Sequence, residues 1–85
     1  EWRQRVVGRW GDNPACNGRV ATINADGSYY DQAAGNWSVS NGRVTFAEPN
    51  GTIVATPSLS GANGEIMVLT DVTSGTAETW YPCPG

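Results

Sequence analysis

Carboxylates, hydroxyls and arginines are the reactive side chains this chain offers: eight Asp and Glu, five Arg, no His and no Lys. Without imidazole there is no Ser-His or Cys-His pair and no zinc site of the common kinds. Without lysine there is neither a Schiff base nor a phosphate-loop lysine. A carboxylate pair could run glycoside hydrolysis, but the two groups must face each other about 5 to 10 Å apart across a substrate cleft. A chain of 85 residues seldom builds one, so we expect a protein that is not an enzyme. Asn24, Asp26 and Asp31 miss the spacing of a calcium loop and read as a plain hairpin turn, so no metal or cofactor is expected. Asn36-Trp37-Ser38 and Asn50-Gly51-Thr52 match the glycosylation sequon, which matters only in a eukaryotic secretory pathway.

Cys16 and Cys83 stand near opposite ends of the chain, with no CxxC spacing to support a metal or redox reading. We read them as a structural disulfide in preference to two inert buried thiols. The bridge closes a loop of roughly 68 residues and stabilises the fold by about 4 kcal/mol in the chain-entropy picture, a large share for a small domain. It places the protein in an oxidising compartment, the periplasm or the cell exterior. A start at Glu1 without Met reads as a mature product whose leader was removed. No apolar run is long enough for a membrane span.

The elements that must position these groups follow from composition and turn spacing. The length suits one domain over residues 1–85, and a net charge of −3 with a pI near 4.5 argues against a nucleic-acid partner. Asn17-Gly18, Asp26-Gly27, Asn41-Gly42, Asn50-Gly51, Asn63-Gly64 and Ser74-Gly75 punctuate stretches rich in Val, Ile, Thr and aromatic residues. None of those stretches has helical periodicity. The pattern predicts an all-β antiparallel meander with strands near Val6–Trp10, Arg19–Asn24, Ser28–Gln32, Asn36–Ser40, Arg43–Ala47, Thr52–Thr56, Glu65–Thr70 and Thr76–Tyr81. It is either an up-and-down barrel or a strongly twisted, nearly closed sandwich.

Asn41-Gly42 as a two-residue type I′ turn sets Ser40 opposite Arg43, Val39 opposite Val44, Ser38 opposite Thr45 and Trp37 opposite Phe46. Every pair then agrees in polarity, and Trp37 and Phe46 fall in the core. The last two strands read less cleanly. Taking charges as marking the solvent face leaves Ile66, Val68 and Thr70 facing the core. Met67, Leu69 and Trp80 then point outward with Glu65, Asp71 and Glu78, unless a bulge swaps the faces or Trp80 is covered by the N-terminal segment. A two-residue Ser74-Gly75 turn would also oppose Asp71 to Glu78, which is unfavourable.

Two surfaces are therefore candidate protein-binding sites. One is an N-terminal arm with Trp2, Arg3 and Arg5, with Arg9 nearby, in an otherwise acidic chain. The other, which we prefer, is an outward patch of Met67, Leu69 and Trp80.

Gly8-Arg9-Trp10, followed six residues later by Cys16 and ahead of an antiparallel meander, resembles the opening of the lipocalin-like (calycin) superfamily. Within that group the small size, early Cys and secreted character are most similar to bacterial inhibitors of secreted metalloproteases, the alkaline-protease-inhibitor type. The resemblance implies a barrel of about eight strands, closed at one end by Trp10. It also implies an N-terminal arm that enters a protease cleft. The family's Trp stacks on a basic residue of the last strand. This chain has none after Arg43, so Arg19 or Arg43, or else Pro82 and Tyr81, would take that place. Trp10, Trp37, Phe46, Ile23 and Ile53 should fill so narrow an interior, which leaves no buried small-molecule ligand.

The leading expectation is a secreted or periplasmic protein-binding module of the interaction or protease-inhibitor kind. An accessory subunit docked on an envelope or extracellular complex comes second, and a carrier of a small apolar ligand third. A free arm favours the first, an outward patch the second and an empty interior the third.

Overall fold

The computed structural model describes residues 2–84. After a short helix α1 (Trp2–Val6) come β1 (Gly8–Gly11), β2 (Val20–Ile23), β3 (Ser28–Tyr30) and β4 (Ala34–Ser40). These are followed by β5 (Arg43–Glu48), β6 (Gly51–Ser60), β7 (Ile66–Asp71) and β8 (Ala77–Pro82). Each strand pairs antiparallel with its sequence neighbours, and β1 pairs with β8 to close the barrel. Of the two architectures left open by the turn spacing, the up-and-down barrel is the one formed. Closure removes both free sheet edges, which eight short strands would otherwise expose.

The Asn41-Gly42 turn behaves as its chemistry requires. Both residues have positive φ, 54° and 74°, and the register that follows is Trp37↔Phe46, Ser38↔Thr45, Val39↔Val44 and Ser40↔Arg43. Trp37 and Val44 are buried, while Phe46 and Val39 pack against the core partly covered. Ile53, expected inside, pairs with Phe46 but remains 47% exposed. β6 also runs past the expected end at Thr56, through a buried Pro57 opposite Leu69.

The N-terminal segment differs from the expected strand and arm. Residues Trp2–Val6 form one helical turn whose Val6 is completely buried and whose Trp2 packs against the core. The Val6 carbonyl accepts a 2.9 Å hydrogen bond from Trp10 Nε1. Arg3 lies 4.7 Å over the Trp37 ring and donates to the Ala25 carbonyl at 3.2 Å. Arg19, expected against Trp10, instead lies 5.3 Å over the Trp80 ring. Trp10 is in register with Pro82, the packing alternative raised for it. Arg3 and Arg5 remain exposed on α1, and Glu1 of the expected arm lies outside the described residues.

Cys16 and Cys83 are bonded, with Cα atoms 6.0 Å apart. The bridge ties the β1–β2 connection to the chain just beyond β8, across the closing seam. That seam has only two registered pairs, Trp10↔Pro82 and Gly11↔Tyr81. Arg9 reinforces it with a 2.8 Å hydrogen bond from Nη1 to the Pro84 carbonyl.

Candidate functional site: a cavity at the open end of the barrel

Up-and-down connectivity sorts the loops between two ends. The β2–β3, β4–β5 and β6–β7 turns share one end with α1. The β1–β2, β3–β4, β5–β6 and β7–β8 connections surround the other. A cavity of about 190 Å³ opens at this second end.

Its walls and rim follow from period-two alternation. On five strands an inward apolar residue is followed, two positions nearer the mouth, by an inward charged one. The pairs are Ala21 with Arg19, Tyr29 with Asp31, Phe46 with Glu48, Leu69 with Asp71 and Trp80 with Glu78, all lining the cavity. The result is an apolar layer, completed by Trp10, Ile23, Ala55 and Met67, beneath a charged ring.

This arrangement corrects the outward patch. Met67, Leu69 and Trp80 are 1%, 8% and 5% exposed and belong to the cavity wall, while Ile66, Val68 and Thr70 are half-buried on the other face. Sharing a face with acids marked these residues as solvent-facing. Near the mouth of a barrel, however, the inward face also meets water, so a carboxylate can point inward without being desolvated. No face-swapping bulge is needed. The turn differs as well: Thr70 pairs with Ala77 and Leu69 with Glu78, leaving Val72–Thr76 as a five-residue connection between β7 and β8. Asp71 Oδ1 organises that connection by accepting from the backbone N–H groups of Thr73 at 2.7 Å and Ser74 at 3.0 Å. These bonds, Ser74's foremost, hold the Asp71 carboxyl below its ordinary range.

The cavity also corrects the expectation of a filled interior. Ala21 and Ala55 are small, and Phe46 and Ile53 lie towards the lip, which leaves the interior open at this end. Tyr29 is packed edge-on against Phe46, ring centroids 5.0 Å apart. Its ring lies over Gly35, where a Cβ would fall 2.7 Å from Tyr29 Cε1 and 2.4 Å from the Ala47 carbonyl oxygen. Only glycine leaves room for the tyrosine at this cross-strand position. The Tyr29 hydroxyl donates to Glu48. Burial, and then the neighbouring Glu48 carboxylate, push the phenol's pKa up from its usual 10.0.

Arg19 is the ring's one cation. Its Nε and Nη2 grip Asp31 at 2.8 and 2.5 Å, its Nη1 stands 4.0 Å from Glu78, and its guanidinium lies 5.3 Å over the Trp80 ring. The Asp31 bonds raise its already high pKa, so it stays charged.

The structure thus brings Trp10, Phe46, Met67, Leu69 and Trp80 to one cavity. Trp2, Arg3 and Arg5 stay at the opposite end, Trp37 beneath Arg3, and the Cys16–Cys83 bridge on the seam. Arg19, Tyr29, Asp31, Glu48 and Asp71 were not singled out as site residues, although the charged-at-two-positions pattern is visible in the sequence once the strands are in place. Asp26 accepts from the N–H and hydroxyl of Ser28, as in a hairpin turn. Among the described residues no group of three metal-ligating side chains converges, and no helix is long and apolar enough to cross a membrane.

Comparison with protein-family profiles, with curated proteins and with solved structures finds no match for this chain.

Proposed function

We propose that this protein is a non-catalytic barrel that binds one small ligand in its open end. The observation that carries this reading is the cavity of about 190 Å³ walled by Trp10, Tyr29, Met67, Leu69 and Trp80. An apolar void of about 150 Å³ suffices for benzene, and drug-sized sites start near 300 Å³. The fitting ligand therefore has a single ring or a short branched chain. The disulfide supports a periplasmic or extracellular setting. Protease inhibition, or docking on an envelope complex, is the weaker reading. The segment that would enter a cleft is packed on the barrel through Val6 and Trp2, and Met67, Leu69 and Trp80 face inward.

Because Trp10 and Trp80 line the cavity, intrinsic fluorescence reports occupancy. Titration with 2-phenylethanol should give a saturable change at one molecule per chain. Ala55→Leu, which fills the cavity from β6, should abolish the change while the protein still unfolds cooperatively. Absence of saturable binding by any single-ring probe, charged or neutral, would overturn the proposal.

A further inference from the structure

Resting on that reading, we propose that the ligand is a small organic cation, an ammonium or guanidinium group on a compact apolar body. The body occupies the apolar layer and the cation sits in the charged ring beside Trp80. Three observations favour this charge.

First, the ring carries four carboxylates, Asp31, Glu48, Asp71 and Glu78, against the single guanidinium of Arg19. Arg3, Arg5 and Arg43 are at the far end, accompanied there by Asp26 and Glu65. The barrel is therefore polarised along its axis, with its negative end at the cavity. Low-dielectric walls concentrate that field at the mouth.

Second, the carboxylates are not all spoken for. Asp31 is gripped by Arg19, Glu48 accepts from Tyr29 and Asp71 caps its turn. Among the described residues Glu78 has only Arg19 as an ionic partner, at 4.0 Å, and it is 56% exposed. A neutral or anionic ligand would leave this charge where it is or be repelled by it. A cation would pair with it next to an aromatic face.

Third, the chain itself places a cation on that aromatic face. Arg19 over Trp80, held by Asp31, is a tethered example of the contact an organic cation would make, in which ring quadrupole and carboxylate act together. The carboxylates surround the mouth without converging. That spacing suits a cation carried on an organic body better than a metal ion, whose oxygen ligands must close to about 2.0–2.6 Å.

Three probes of one shape decide the matter: 2-phenylethylammonium, 2-phenylethanol and 3-phenylpropionate, titrated by fluorescence or calorimetry at low and high salt. The amine should bind about tenfold more tightly than the alcohol at low salt, and the alcohol more tightly than the carboxylate. The amine's advantage should shrink as salt screens the ring. Glu78→Gln should cost the amine up to about fivefold, the range of a rim charge pair, and leave the alcohol unchanged. Equal binding of amine and alcohol to the parent would overturn the cation inference while leaving the ligand-binding barrel standing. Failure of all three to bind would overturn both. An unchanged amine-to-alcohol ratio in Glu78→Gln would remove Glu78 from the site.

Discussion

Replacing both Cys16 and Cys83 by serine deletes the staple across the narrow β1–β8 seam and frees the unfolded chain. The bridged residues are 67 apart in sequence, and closing such a loop removes chain entropy equivalent to about 4 kcal/mol at room temperature. An 85-residue domain has on the order of 4 to 13 kcal/mol of total stability, so the loss is a third or more of what holds the barrel together. With a urea m-value of about 1 kcal/mol/M for a chain of this size, the midpoint should fall by roughly 4 M. Heating should show a drop of about 15 to 30 °C in Tm. Equilibrium urea unfolding of the Cys16→Ser/Cys83→Ser variant, followed by tryptophan fluorescence and far-UV circular dichroism, measures it directly. Amide exchange adds a spatial test. Because the deleted bridge spans the seam, where two pairs register, Trp10↔Pro82 and Gly11↔Tyr81, protection should be lost first at Gly11, Tyr81 and residue 83. The β4–β5, β5–β6 and β6–β7 pairings, with five or six registered pairs each, should lose it last. A midpoint shift below about 1 M at unchanged m-value would refute the loop-closure argument. Uniform loss of protection would refute the assignment of the bridge's support to the seam.

Trp37→Ala should destabilise the protein by about 3 to 5 kcal/mol, the range for emptying a buried aromatic site. It also removes the 2.7 Å hydrogen bond from Trp37 Nε1 to the Asn24 carbonyl, which keeps only the Gly27 N–H at 3.2 Å, and removes the surface beneath Arg3. A small shift in the urea midpoint would show that the closed end does not depend on this ring. Asp71 and Asp26 both have carboxyl pKa values held below the ordinary 3.8 by hydrogen bonds in their turns. Their contribution to stability is therefore complete above that value and is lost as pH falls through the lower folded-state value. Asp71→Asn, which keeps an acceptor but not the charge, should flatten the acid limb of a urea-midpoint profile taken between about pH 5 and pH 2, and an unchanged limb would contradict the capping role.

What the sequence determined by itself was local and covalent. The Asn41-Gly42 pair favours a turn with two positive φ angles, from which one register follows, and Trp37 meets Phe46 in that register. Repeated turn dipeptides between β-branched and aromatic stretches specify a meander, and two cysteines without other chemistry specify a bridge. The facing of the last strands was decided by the tertiary structure. Alternation says that Glu78 shares a face with Trp80 and Asp71 with Leu69, but not which face is the core. Charge points to the wrong answer wherever the inside of a barrel is itself wet. The N-terminal turn was equally hidden, since five residues are too few to show a helical period and Val6 is buried only because the barrel end is there to receive it. The cavity is the most collective property of all. It depends on Ala21 and Ala55 lining the wall and on Phe46 and Ile53 sitting at the lip. Where those volumes fall short of filling the interior is settled only when all eight strands close upon one another.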